Sequence, residues 1–226
     1  MGALIGRCAA LLALLCAQVP AAAAGLADDI AGLRQYSADF TQTLLDARSM
    51  VLQNSTGRVR IAPPDRFKWV VNDPYPQTLV TVGESLYVYD PDLEQLTIEP
   101  LAAAIAGTPA LLLTGQVDDL DSLFDVSSAS DPDGRTYALF PKSADAMFAE
   151  IRLRFVTPTE APDAPDAPEP SDRDGAPARL EQLQIFDHLG RQTRITFGGV
   201  ALNQAIDAAE FEFEIPPGTD VLRTQP

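Results

Sequence analysis

SADFTQ at positions 37–42, RIAPPDRFKW at 60–69, GESLYVYDP at 83–91 and LEQ at 93–95 decide how this chain of 226 residues is read. Apolar and polar residues alternate along these runs, and Pro, Asp or Gly punctuates them. That is the period and the punctuation of antiparallel strands with one dry face. Val59 and Ile61 fall on one face and Arg58 and Arg60 on the other. After Pro63-Pro64-Asp65, Phe67 and Trp69 share a face opposite Arg66 and Lys68. The proline pair forces a turn, because proline lacks the N–H that a ladder needs. Aromatic residues at set places, with no catalytic trio among them, spell a β-surface that binds something apolar.

Outward from this stretch the pattern stays β-rich. Leu26, Ile30 and Leu33 recur at helical spacing, so a short helix is expected over Leu26–Tyr36, then strands over Ala38–Leu45 and Val51–Ala62. Gly83-Glu84 makes a tight hairpin between Leu79–Val82 and Leu86–Tyr89, and Asp90-Pro91-Asp92 leads into Leu93–Glu99. The texture changes at LAAAIA (101–106) and PALLLT (109–114). Gly107 ends one short helix there and Pro109 opens the next as a first-turn residue. Further strands are expected at Leu123–Ser127, Thr136–Pro141, Met147–Val156, Arg179–Asp187, Gln192–Phe197 and Phe211–Ile215. In the third of these, Met147, Ala149, Ile151, Leu153 and Phe155 face one way and Glu150, Arg152 and Arg154 the other, so one face of the sheet is wet.

The first 24 residues read as an export signal, with cleavage after Ala24. Arg7 is their one charge, the apolar run Cys8–Val19 is too short to span a bilayer, and Pro20 with Ala21–Ala24 supplies a small-residue cleavage site. Cys8 and Cys16, the two cysteines, lie in this signal and follow Arg7 and Leu15, where bacterial lipidation needs a small residue. Residues 25–226 are therefore expected to form a single domain without lipid anchor or disulfide. The formal charge of −16 becomes −17 without Arg7. Such acidity argues against nucleic acid or an anionic membrane surface as partner. Residues 157–177 hold six prolines and six acidic residues against Arg173, which reads as a disordered insertion at a hairpin tip.

Catalytic chemistry finds little to work with. His188 is the lone histidine and sits in the turn Asp187-His188-Leu189-Gly190. With no mature cysteine and a single histidine in a turn, thiolate catalysis and ordinary Ser-His hydrolysis need unusual variants, and a histidine-rich zinc site is excluded. No calcium loop, phosphate-cradling glycine loop or dinucleotide fingerprint occurs, and most acidic residues sit in turns or in the insertion. No enzyme, metal or cofactor is expected.

Phe40-Thr41-Gln42, Phe67-x-Trp69, Gly83-x-x-Leu86-Tyr87-x-Tyr89-Asp90-Pro91 and Gln95 are followed by Thr108-Pro109, Leu139-x-Pro141 and Phe211-x-Phe213 before Pro216-Pro217-Gly218-Thr219-Asp220-Val221. In this order and spacing the chain resembles the LolA family of periplasmic lipoprotein carriers, from the first helix to the C-terminus apart from the insertion. The resemblance implies a mainly β fold, an incomplete antiparallel β-barrel of about eleven strands covered by a lid of short α-helices. It implies an apolar cavity for lipoprotein acyl chains, for which Phe67, Trp69, Leu79, Leu86, Val88, Leu93, Ile151, Leu153 and Phe155 are candidates. The lid would present Leu101, Ile105, Leu111 and Leu112.

The implied role is a soluble, monomeric chaperone of the Gram-negative periplasm. It would accept acylated lipoproteins from an ATP-driven inner-membrane exporter of the LolCDE kind and deliver them to a LolB-like receptor or to the outer membrane itself. Alternatives on the same fold are a glycolipid or terpenoid-tail carrier and an RseB-like sensor of mislocalised lipoproteins. One departure stands out. The family's basic residue before the turn proline, which bonds the lid shut, is Pro63 here, so Arg66 or Arg60 is expected to serve as the latch. Phe67 matches the family position for docking to the exporter.

Overall fold

The computed structural model describes residues 21–101, 103–104, 109–114, 120–157 and 178–224. Most of the expected export signal and nearly all of the proline-rich insertion lie outside them, as does Ile105 of the expected lid. The expected cleavage point after Ala24 falls within the first helix, α1 (Ala21–Ala31).

Twelve strands form one open sheet: β1 (Tyr36–Leu45), β2 (Val51–Ala62), β3 (Arg66–Asp73), β4 (Gln77–Val82), β5 (Ser85–Asp90), β6 (Gln95–Pro100), β7 (Phe124–Asp131), β8 (Gly134–Pro141), β9 (Glu150–Val156), β10 (Arg179–Phe186), β11 (Gln192–Leu202) and β12 (Asp220–Arg223). Their spatial order is β12-β6-β5-β4-β3-β2-β1-β11-β10-β9-β8-β7. Every pairing is antiparallel except β12 on β6. The long-range β1–β11 pairing, Phe40 opposite Phe197, joins the two runs of hairpins in the middle of the sheet. The incomplete barrel expected from the sequence is the observed architecture, with one strand more.

The concave face is dry because the inward residues of successive strands are apolar: Tyr36, Ala38 and Phe40 on β1, Val59 and Ile61 on β2, Phe67 and Trp69 on β3. Registers that place Ile61 between Tyr36 and Phe67, and Val59 between Ala38 and Trp69, align these rows across three strands. Over this face lie α1, the helical residues Leu101, Ala103 and Ala104, a 3₁₀ turn (Pro109–Thr114) and the short helix α2 (Leu120–Leu123).

Four local expectations fail, each for a visible reason. Tyr36 opens β1 rather than closing a helix, since its buried phenol donates to the Leu180 carbonyl of β10 at 3.0 Å. PALLLT folds as a 3₁₀ turn, not an α-helix. Met147 is 72% exposed and β9 begins only at Glu150, because Phe148 turns inward instead and stacks on Phe124 at 6.3 Å. Phe211–Ile215 is not a strand. Ala208–Phe211 is a 3₁₀ turn capped by the Asp207 side chain, which accepts from the Ala209 N–H, and the chain then crosses the outer face of the sheet.

That crossing creates a second apolar layer on the convex side. Phe213 packs against Tyr87 at 6.4 Å and Tyr89 at 5.5 Å. Val80 and Leu96, which the register places on this face, are buried, and so is Phe211. Lys68 donates to the Glu212 carbonyl at 3.1 Å and Arg60 pairs with Glu210 at 3.4 Å.

Candidate functional site beneath the lid

Trp69 is the centre of the concave face. Phe40 stacks on it at 4.1 Å, Phe67 lies nearly parallel at 6.3 Å, and Phe197 meets it edge-on at 6.2 Å. Gly57 makes the closest of these contacts possible. A Cβ there would fall 2.3 Å from the Phe40 ring and 2.1 Å from the Val70 carbonyl oxygen, so no side chain fits where Phe40 crosses β2.

The expected acyl-contact residues divide clearly. Phe67 and Leu86 are fully buried, Trp69 is 6% exposed, and Ile151, Leu153 and Phe155 are buried on β9. Leu79 pairs with Trp69 and Val88 with Leu79, so both share the concave face, and both are partly buried against its cluster. Leu93 does not join them. It lies 67% exposed in the β5–β6 turn, where Glu94 takes a positive φ of 51° and β6 starts only at Gln95. The alternation that carried Leu93 inward therefore breaks one residue too late.

Of the expected lid residues, Leu101, Leu111 and Leu112 are buried downward, joined by Ala104, Leu113 and Leu120, which the sequence reading had not singled out as site residues. Thr114 returns its hydroxyl to the Leu111 carbonyl at 2.7 Å and so stays compatible with this apolar layer. Leu26 and Ile30 of α1 complete the roof. A cavity of about 260 Å³ remains between α1, the Pro63-Pro64 turn, the 3₁₀ turn and α2, lined by Ala27, Ile30, Ala31, Pro63, Pro64, Leu112, Thr114 and Leu120. A dry cavity of about 150 Å³ accepts one benzene ring. The space at the edge of these helices is thus large enough for a short stretch of an apolar chain.

Neither arginine expected to latch the lid reaches it. Ala62 pairs with Arg66 and Arg60 with Lys68, the residues of the opposite face from Phe67 and Trp69. Arg66 lies over the Phe211 ring at 5.7 Å and Arg60 holds Glu210, so both belong to the convex layer. Phe67, also expected as a docking residue, is buried rather than presented at the surface, and its N–H donates to Thr81 Oγ1 at 2.9 Å.

A polar group that the sequence reading missed does tie the lid to the sheet. Tyr137 of β8 donates to Asp29 Oδ2 of α1 at 2.6 Å, and Arg135 Nη1 donates to the Tyr137 hydroxyl at 2.9 Å. Burial, and then the bond to the Asp29 carboxylate, push the Tyr137 phenol up to about 12. The signal available in sequence was a tyrosine in phase with the inward Leu139, since a buried phenol needs a partner. His188 is exposed, with Nε2 2.9 Å from the Ala146 carbonyl oxygen. Among the described residues no three of His, Cys, Asp and Glu gather as a metal site, and no helix is long and apolar enough to cross a membrane.

Comparison with known proteins shows the family. The sequence model of the family described as outer membrane lipoprotein carrier protein LolA matches residues 31–163. An outer-membrane lipoprotein carrier protein of Chromohalobacter salexigens is 39% identical over 88% of this chain and 85% of its own. That of Hahella chejuensis is 36% identical over 95% of each. Among solved structures, an uncharacterized conserved protein of Thermus thermophilus covers 89% of this chain and 99% of its own at a TM-score of 0.52 and 16% identity, a likeness of fold alone.

Proposed function

The chain belongs to the LolA family of outer-membrane lipoprotein carriers, and from that premise we propose that its concave face shelters lipoprotein acyl chains during transit through the periplasm. The observation that carries the reading is the aromatic and aliphatic floor around Trp69, roofed by helices attached mainly through apolar contacts, with a cavity already open at their edge. Each buried CH₂ contributes roughly 0.8 kcal/mol, so a sixteen-carbon chain gains on the order of 10 kcal/mol by leaving water. No lipoprotein crosses an aqueous compartment against that bias without a shelter. A sealed core would never release it, whereas a floor with a separate roof can.

The chain is exported, loses its first 24 residues, receives acylated lipoproteins from an ATP-driven inner-membrane exporter and passes them to an outer-membrane receptor or to the membrane itself. No catalysis is needed. The carrier contributes a site, and the direction of transfer follows from the exporter's ATP and from a better apolar site at the far end.

The test uses spheroplasts carrying a labelled lipoprotein. Added carrier is expected to bring the label into the soluble fraction and then to lose it to outer membranes. Label that stays on the spheroplasts, although a relative's carrier releases it in parallel, would contradict the reading.

A further inference from the structure

We propose that Asp29, Tyr137 and Arg135 form the latch that holds α1 closed over the acyl site, in place of a basic residue at the Pro63 turn. The proposal rests on the carrier reading for its purpose, and on geometry alone for its existence. Asp29 sits on the lid helix, and Tyr137 and Arg135 on strand β8. Arg135 Nη1 donates to the phenol oxygen, the phenol donates to Asp29 Oδ2, and Arg135 lies 3.7 Å from the same carboxylate oxygen. Among the described residues, no other side chain of α1 makes a hydrogen bond or ion pair with the sheet. The rest of the attachment is apolar, through Leu26 and Ile30.

The helix is shaped to reach this group. A Cβ on Gly25 would sit 3.1 Å from the Tyr137 hydroxyl and 3.3 Å from Arg135 Nη1, tighter than ordinary contact, so glycine lets α1 approach β8 closely. The Tyr137 ring itself is fixed, edge-on to Phe155 at 6.0 Å. The sheet half of the latch is thus rigid and the lid half moves.

The chemistry suits a reversible closure. Apolar contacts tolerate sliding, whereas a hydrogen bond to a carboxylate is either made or broken. The Asp29 side chain is 20% exposed, so on opening it is hydrated at little cost, and the phenol keeps its bond from Arg135. The latch therefore biases the lid toward closure without locking it. It also makes no demand on Arg60 or Arg66, which the convex layer engages.

Tyr137→Phe removes the bond and keeps the buried ring, and Asp29→Asn keeps the shape but removes the charge. Hydrogen exchange by mass spectrometry on the purified chain reads the outcome without any cargo. Amides of α1 and the segment to Leu33 are expected to exchange roughly tenfold faster in Tyr137→Phe and less so in Asp29→Asn. The β1–β2 amides should stay as in wild type. Unchanged α1 exchange, or an increase matched across the whole sheet, would overturn the latch. Release of labelled lipoprotein to outer membranes is the second arm, expected to quicken in both variants. If wild type takes up no lipoprotein at all, the carrier reading fails while the exchange arm still decides the latch.

Discussion

The two faces of this sheet are both covered, and by opposite means. The concave face is roofed by α1, the helical residues Leu101 and Ala104, the 3₁₀ turn and α2, which bury leucines, isoleucine and alanine and leave a cavity at their edge. The convex face is crossed by the segment after β11, pinned by the Arg60–Glu210 pair, by Lys68 on the Glu212 carbonyl, and by Phe211 and Phe213 on the strands. A cover held by many unlike contacts stays put. A cover whose first helix, α1, is held by apolar contact and the single Asp29–Tyr137–Arg135 group can lift. On the proposed carrier role, this difference puts cargo on the concave side and sheet reinforcement on the convex side.

The largest expected effect comes from the concave floor. Phe67→Ala leaves a hole in a fully buried aromatic row and should cost about 3–5 kcal/mol in urea unfolding, together with lipoprotein uptake. Stability retained within experimental error would place Phe67 outside the load of the core. On the convex side, Phe211→Ala should cost less, about 0.5–3 kcal/mol, because a crossing segment relaxes more readily than a strand. Lipoprotein uptake should persist, and its loss would break the division of labour between the faces.

Tyr137 gives the concave side a pH signature. Its folded pKa of about 12 lies above the ordinary value of 10.0. The folded state therefore holds the proton more tightly than the unfolded chain. Its contribution to stability is complete below about pH 10 and is lost as pH rises toward about 12. Phenolate absorbance should show one tyrosine titrating near 12 that is absent from Tyr137→Phe. The smallest effects are expected at the surface cations. Arg66→Leu and Arg60→Leu each remove a partly exposed contact worth about 0.2–1 kcal/mol. Their rates of lipoprotein release should equal wild type, and a quickened release would restore an arginine latch.

How much of this could be read in sequence depended on whether a residue's partner is near in the chain. The alternation in RIAPPDRFKW placed Phe67 and Trp69 inward and Arg66 and Lys68 outward, because side-chain period alone decides that. What covers each face was not legible locally. Arg66 stands three residues from the Pro63-Pro64 turn and invited the role of latch, yet its partner is Phe211, far along the chain. Phe211-x-Phe213 alternates like a strand, but Pro216-Pro217 follows it, and the free edge of β6 is taken by β12 instead. Asp29 and Tyr137 meet across 108 positions, and nothing in either neighbourhood names the other.

The claim that acyl chains lie under the lid has a direct test. A photoreactive phenylalanine analogue replaces Ala27, an exposed residue of α1 that lines the cavity, or Phe213 on the convex side. Each variant is loaded from spheroplasts with an acylated lipoprotein, or mixed with the same protein lacking its acyl chains, and then irradiated. A covalent adduct at position 27 with the acylated form alone, and none at 213, is the expected result. Adducts at 213 that equal those at 27, or adducts at 27 that do not depend on acylation, would contradict it.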